Sequence, residues 1–253
     1  MKLLRETMLL FAANMRNTLR NPVWMIFGLF QPICYLLLFA PLYENLTGGA
    51  NLPEGGAYNI FTPGLLVMNA LFSSVFVGFG VIAGLRSGYI ERLRVTPVSR
   101  VALPLGYILR DVVVLIVQSA LLLGMATLMG MRADLAGLLL LMVLLVLIGL
   151  LMASCSYALA LLFKDENALS STLNFVLVPL LLLSGIVLPM TLAPQLLRTI
   201  AQINPVAHAV DAARALVNGN LTDNAVLLGF GMLAVLAVLG IWWATRSFRQ
   251  ATA

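Results

Sequence analysis

The stretch LAGLLLLMVLLVLIGLLMASCSYALALLF, residues 135–163, contains no charged residue. It is longer than the roughly 20 apolar residues that cross the hydrocarbon core of a bilayer as a helix. Five further apolar stretches accompany it, at 23–43, 60–85, 101–129, 169–188 and 225–245. Of all 253 residues, 61% are hydrophobic and only 10% are charged, whereas a soluble domain carries about 25% charged residues. The sequence therefore predicts an all-α, polytopic membrane protein with six transmembrane helices.

Basic residues give the predicted orientation. If the N-terminus is cytoplasmic, all but three of the 15 Lys and Arg residues lie on the cytoplasmic side, the exceptions being Arg132, Arg198 and Arg214. This bias follows the positive-inside rule and predicts that both termini are cytoplasmic. Residues 1–21 mix basic and apolar side chains, which is typical of an amphipathic helix lying in the membrane interface. Residues 191–223 are too polar to span and predict an outer re-entrant or interfacial segment within one transmembrane domain, 1–253.

The chemical inventory argues against an enzyme, a metal centre or a bound cofactor. His208 is the only histidine, and Asp111 is the only carboxylate inside a predicted span. Neither lysine follows a glycine, so the chain has no nucleotide-binding loop of the G-x-x-x-x-G-K type. Any ATP hydrolysis must therefore occur on another polypeptide. The net charge of +5 reflects arginines at the ends of apolar stretches, so nucleic acid is not an expected partner, whereas membrane lipids are.

The connection 86–100 is charged and ends abruptly. Glu91, Arg92 and Arg94 are followed by Thr96 and Pro97, which stop a short helix before the next apolar stretch. Such a helix could dock on a cytoplasmic partner. The residues alone fit an ordinary solvated loop equally well.

A second cluster begins inside the fifth predicted span. Gly185 and Pro189 interrupt an apolar helix, which happens at membrane depth where backbone is buried in protein or lines a cavity. His208, Asp211 and Arg214 follow at intervals of three residues, so all three could share one helix face. They could serve only capping and pairing, or they could take part in substrate release.

Two sequence patterns carry a family resemblance. The stretch ERLRVTPVSR at 91–100, and the series S-G-x-x-x-P, P-x-x-L and N-P-x-x-H-x-x-D-x-x-R from 184 to 214, resemble signatures of type-2 ATP-binding-cassette (ABC) exporter permeases. Within that family the chain is most similar to the daunorubicin-resistance-type drug-export permeases. The resemblance covers the whole chain, including the order of its spans.

The resemblance implies a permease subunit that moves a hydrophobic or amphipathic substrate, a drug or a lipid-like molecule, out of the cytoplasm or inner leaflet. The expected location is the cytoplasmic membrane of a prokaryote. Two copies of a separate P-loop ATPase, which bind ATP and Mg, would drive transport. A second copy of the chain or a sibling permease would complete the membrane part.

The resemblance also implies roles for particular residues. A coupling helix on the ATPase would contain Glu91, Arg92, Arg94, Thr96 and Pro97. A re-entrant outer gate would be formed by Ser184, Gly185, Pro189, Pro194, Asn204, Pro205, His208, Asp211 and Arg214.

Candidate residues for the substrate pathway lie in the second and fifth spans. The second span carries a Met and Phe series at helical spacing, which gives a deformable apolar surface, although ordinary helix packing explains it too. The candidates are Met68, Phe72, Phe76, Phe79, Asn174 and Phe175. The resemblance implies that polysaccharide exporters would carry aromatic rings along a wide sugar channel. Since aromatic residues make up only 8% of this chain, a polysaccharide or lipo-oligosaccharide exporter ranks below a drug or lipid exporter. A membrane scaffold that transports nothing stays open, and an ion-driven carrier is disfavoured because buried acids are scarce.

Overall fold

The computed structural model describes residues 2–20, 23–47, 55–88, 102–186 and 194–251. Within these ranges all regular structure is helical, which confirms the all-α prediction. The helices are α1 (Lys2–Arg20), α2 (Val23–Thr47), α3 (Gly56–Val75), α4 (Gly78–Arg86), α5 (Ala102–Leu128), α6 (Leu135–Phe163), α7 (Glu166–Leu182), α8 (Gln195–Ala201), α9 (Pro205–Val217) and α10 (Asn224–Ala251).

Among the residues that the structure describes, four helical segments are long and apolar enough to cross a bilayer, and two further apolar helices are shorter. This agrees with a multi-pass membrane protein, while the count of six crossings remains a prediction. The long segments are Gly56–Arg86, Ala102–Leu128, Leu135–Phe163 and Asn224–Gln250, and the shorter ones are Gly28–Leu42 and Glu166–Leu182.

Helix α6 is the centre of the bundle, where it packs against α3, α4, α5, α9 and α10. Small residues allow these close approaches, as is usual between membrane helices. At the break between α3 and α4, Ser156 Oγ accepts a hydrogen bond from the Gly78 amide (2.9 Å) and donates one to the Val75 carbonyl (2.5 Å). The hydroxyl thus satisfies backbone groups that the break in the helix leaves open, which a membrane interior requires.

A buried ionic cluster joins α5, α6 and α10. Arg110 Nε donates to Asp111 Oδ1 at 2.8 Å, and the Tyr157 hydroxyl donates to the other oxygen of the same carboxylate. The Arg110 guanidinium lies 5.7 Å from the centre of the Tyr107 ring, and Phe248 of α10 packs edge-on against Tyr157. The sequence shows Asp111 beside Arg110, whereas Tyr157 becomes their partner only through the packing of α6.

Helix α1 packs on α5 and approaches it closely at one small residue, Gly106. A Cβ atom on Gly106 would lie 2.7 Å from the Cβ of Leu10, so only glycine permits this contact. On another side of α1, Leu4 and Leu9 are exposed. An apolar face without a protein partner within the described chain suits a helix that lies in the membrane interface.

Candidate functional site

The site is built on a turn that follows α7, formed by residues 183–186 and called the Ser184-Gly185 turn below. Gly185 has a φ of 72°, in the left-handed region that glycine adopts without strain. Ser184 Oγ donates to the Leu181 carbonyl at 2.6 Å and accepts from the Ile186 amide at 3.3 Å. The glycine allows the chain to turn where the helix ends, and the serine hydroxyl satisfies the Leu181 carbonyl, one of the last acceptors of the helix.

Helix α3 covers one side of this turn. A Cβ atom on Gly64 would lie 2.7 Å from the Ile186 carbonyl oxygen, closer than real Cβ contacts. Ile186 itself is buried. The absence of a side chain at Gly64 therefore allows the turn to rest directly on the second predicted span.

Helix α9 holds the turn from another direction. Arg214 Nη2 donates to the Gly185 carbonyl at 2.7 Å. At the start of α9, Asn204 Oδ1 accepts from the Val206 amide at 2.9 Å, and its Nδ2 donates to the Leu180 carbonyl at 2.8 Å. Asn204 is thus both the N-cap of α9 and a link to the end of α7, and Pro205 fits the first helical position.

In the predicted trio on α9, Asp211 lies within electrostatic range of both Arg214 and His208, but the contacts are loose. Arg214 Nη1 lies 4.0 Å from Asp211 Oδ1, and the Asp211 side chain is 61% exposed, so the pair is weak. His208 instead places Nε2 2.8 Å from the Gln202 carbonyl oxygen. Burial lowers the pKa of Arg214, and the neighbouring Asp211 charge acts in the opposite direction. Arg214 therefore acts mainly on the turn, while His208 fastens the loop before α9.

Several predicted site residues fall outside the described ranges. Pro189 is one of them. Pro194 lies inside the described ranges, where it is exposed just before α8. The entire predicted coupling set also lies outside the described residues, namely Glu91, Arg92, Arg94, Thr96 and Pro97. At the edge of that connection, Arg86 Nη1 pairs with Glu166 Oε1 at 2.9 Å and joins the end of α4 to the start of α7.

The apolar candidates separate into two groups. Phe72, Phe76 and Phe79 form a continuous row, with ring centres 6.4 and 6.0 Å apart. Met68 is buried in the core. On α7, Phe175 is 81% exposed, and Asn174 donates back to the Ser170 carbonyl within its own helix.

Two groups of the site have only weak signals in the sequence. Gly64 follows Pro63 inside a predicted span, and this pair is the one hint of a close backbone approach there. The contact of Asn204 with the Leu180 carbonyl leaves no signal in the sequence, because every residue has a backbone carbonyl.

Two substitutions at Asn204 should separate its two contacts. Asn204→Ser keeps an oxygen that can cap α9, adds no charge at this buried position and has no amide to donate to Leu180, whereas Asn204→Ala loses both contacts. We expect Asn204→Ala to cost about 1 kcal/mol more than Asn204→Ser in the free energy of unfolding, since a helix cap contributes about that much. Equal losses in thermal unfolding of the two purified variants would contradict the capping role.

The comparisons with known proteins agree with one another. The family model described as ABC-2 type transporter matches residues 5–218. The daunorubicin resistance ABC transporter permease protein DrrB1 of Streptomyces coeruleorubidus is 30% identical over 226 residues, covering 86% of this chain and 78% of that protein. The putative transport permease ycf38 of Pyropia yezoensis is 26% identical over 238 residues, covering 90% of this chain and 80% of that protein. The putative transport permease ycf38 of Cyanophora paradoxa is 25% identical over 199 residues, covering 78% of this chain and 69% of that protein.

Proposed function

Because the chain belongs to the ABC-2 type transporter family, we propose that it is the membrane permease subunit of an ATP-driven exporter of hydrophobic or amphipathic substrates. The observation that carries this proposal is the Ser184-Gly185 turn, which ends the apolar helix α7 and is held by α3 and α9. Non-helical backbone at membrane depth is tolerated where it is buried in protein or lines a cavity. In this proposal the turn, with Pro189, Pro194, Asn204, Pro205, His208 and Asp211, forms the outer gate.

The energy for transport comes from elsewhere. The sequence has no nucleotide-binding loop, so two copies of a P-loop ATPase bind ATP and Mg beneath a pair of permease subunits. The coupling helix contains Glu91, Arg92, Arg94, Thr96 and Pro97 and docks on the ATPase. The two membrane subunits then shift between an arrangement that accepts cargo from the inner side and one that releases it outside.

The Arg86–Glu166 ion pair offers a route for this movement. Its two partners flank the ends of α4 and α7, close to the connection that carries the coupling residues. Helix α7 leads from Glu166 to the Ser184-Gly185 turn at its other end. A displacement of the coupling helix can therefore reach the turn through one continuous helix.

The substrate surface is apolar in this proposal. The Phe72, Phe76 and Phe79 row is half-buried and continuous, and Met68 lies one turn before it. The exposed Phe175, with Asn174 beside it, is assigned to the seam with the second subunit. A deformable surface of Phe and Met suits varied drug-like or lipid-like molecules.

Charge reversal in the coupling helix tests the proposal. In this proposal Glu91 pairs with a cation of the ATPase. We expect Glu91→Lys to lower permease-stimulated ATP hydrolysis by about tenfold or more, because that cation would then face a like charge, which costs several kcal/mol. The measurement uses the permease and the ATPase encoded beside it, purified together and reconstituted in lipid nanodiscs.

Glu54→Lys is the matched control, since it makes the same change in the connection between the first two predicted spans, which lies outside when the N-terminus is cytoplasmic. It should leave ATP hydrolysis and complex formation unchanged. A wild-type permease that binds no ATPase would favour the scaffold alternative. Unchanged coupling in Glu91→Lys would contradict the role assigned to the 86–100 connection.

A further inference from the structure

A second candidate site lies at the other end of the bundle from the Arg86–Glu166 pair. Here the connection between α5 and α6 meets the end of α9 around a cavity of about 530 Å³. A cavity of this size lies within the range of small-molecule sites. Its lining residues are Asn59, Arg132, Ala133, Asp134, Val217, Asn218 and Gly219.

The walls of this cavity are fixed by backbone contacts. Asn59 Nδ2 donates to the Arg132 carbonyl at 2.7 Å, and the Arg132 amide donates to Asn59 Oδ1 at 3.0 Å. On the other side, Gly219 has a φ of 80° and ends the turn after α9. A Cβ atom on Gly219 would lie 3.7 Å from Asp134 Oδ2. The two hydrogen bonds to Asn59 therefore hold the Arg132 backbone in place, and the Arg132 side chain takes no part in them.

The two charges of the cavity are available to a ligand. Arg132 and Asp134 are both exposed, and within the described part of the chain neither takes part in an ion pair. Asp134 occupies the N-cap position of α6 but accepts no hydrogen bond from the first turn. The equivalent carboxylates Asp165 and Asp223 do accept such bonds, from Ala168 and Ala225. The cavity thus presents a cation and an anion that do not neutralise each other.

Apolar surface surrounds this charged cavity. Leu128, the last residue of α5, is 90% exposed, and Leu135, the first residue of α6, is 73% exposed. Both helices are apolar enough to span a bilayer, so the cavity lies where spanning helices end. A ligand that fits both parts has a zwitterionic head and hydrocarbon chains.

We propose that this cavity binds the headgroup of phosphatidylethanolamine. The phosphate lies at the Arg132 guanidinium and the Asn218 amide, the ammonium lies at the Asp134 carboxylate, and the acyl chains run along Leu128 and Leu135. A primary ammonium has three hydrogen-bond donors for the carboxylate. The quaternary ammonium of phosphatidylcholine has none, and phosphatidylglycerol has no cation. The site goes beyond the proposed function, because it needs neither the ATPase nor a transported cargo.

Native mass spectrometry of the purified full chain tests the site. The chain is equilibrated with equimolar phosphatidylethanolamine, phosphatidylcholine and phosphatidylglycerol of identical acyl chains, and retained lipids are counted. We expect phosphatidylethanolamine to be retained about tenfold over each of the others, the selectivity that one charge-assisted hydrogen bond provides. Asp134→Asn should abolish this preference. Arg132→Gln should reduce retention of all three lipids, because all carry the phosphate.

Matched controls change the same residue types outside the cavity. Asp223→Asn alters another N-cap at the same end of the bundle, and Arg16→Gln alters an exposed arginine on α1. Both should retain phosphatidylethanolamine as the wild type does. Arg132→Gln keeps the two hydrogen bonds between the backbone of residue 132 and Asn59. Elution as a single species in size-exclusion chromatography checks that each variant is folded.

Three results would overturn the assignment. They are an unchanged lipid preference in Asp134→Asn, equal retention of phosphatidylcholine and phosphatidylethanolamine by the wild type, and displacement of the bound lipid by inorganic phosphate alone. Since the assay contains no ATPase, each of these results leaves the proposed transport function untouched.

Discussion

Replacement of Asp111 by alanine is expected to destabilise the fold by about 3–5 kcal/mol, the usual cost of removing one partner of a buried ion pair. The Arg110 guanidinium, with 17% of its side chain exposed, would lose its carboxylate. The fully buried Tyr157 hydroxyl would lose its acceptor in the same step. Both groups would remain in apolar surroundings between α5 and α6. The measurement is the free energy of unfolding of the purified chain in mixed micelles.

Two further variants decide whether charge is the cause. The double variant Arg110→Met with Asp111→Leu removes both charges and should recover most of the loss, because well-packed apolar residues often replace a buried ion pair at little cost. Asp134→Ala is the control, since that carboxylate is exposed and caps no helix amide. In micelles that contain no phosphatidylethanolamine, the ligand proposed for this carboxylate, it should change stability by less than about 0.5 kcal/mol. A loss in Asp111→Ala that matches this control would contradict the account.

The ionic cluster also shows where sequence reasoning ends. The apolar stretches predict the long helices well, because a spanning helix depends on local composition and length. The partner of Asp111 depends on how α6 packs against α5, and Tyr157 stands 46 positions away. Periodicity carries no information about such a contact.

The motifs between Ser184 and Arg214 predict the local structure to a similar limit. Spacing predicts that His208, Asp211 and Arg214 share one face of α9, and Asp211 lies within electrostatic range of both Arg214 and His208. The hydrogen bond between His208 and the Gln202 carbonyl has no such signal in the spacing. The sequence alone predicts that the helix ends near Gly185, because glycine is common where a helix stops. The contact of Arg214 with the Gly185 carbonyl was not, because it joins two helices through a backbone atom.

The contact between Gly64 and the Ser184-Gly185 turn should also be sensitive to substitution. In Gly64→Ala the new Cβ would meet the Ile186 carbonyl oxygen at 2.7 Å. That carbonyl has little freedom to move, since Ser184 and Arg214 both hold the turn. We expect a loss of about 1–3 kcal/mol in the free energy of unfolding, the usual cost of overpacking a core. If the turn is the outer gate, export should fall as well, because the gate would be displaced from α3.

Gly80→Ala is the matched control in the same predicted span. A Cβ atom on Gly80 meets nothing within 4 Å, so alanine there should stabilise the helix by about 0.5–1 kcal/mol. The two variants make the same chemical change and should therefore shift stability in opposite directions. Thermal unfolding and substrate efflux, measured on both in parallel, separate a local clash from a general intolerance of alanine in this span. Wild-type stability together with full efflux in Gly64→Ala would show that the turn does not depend on its contact with α3.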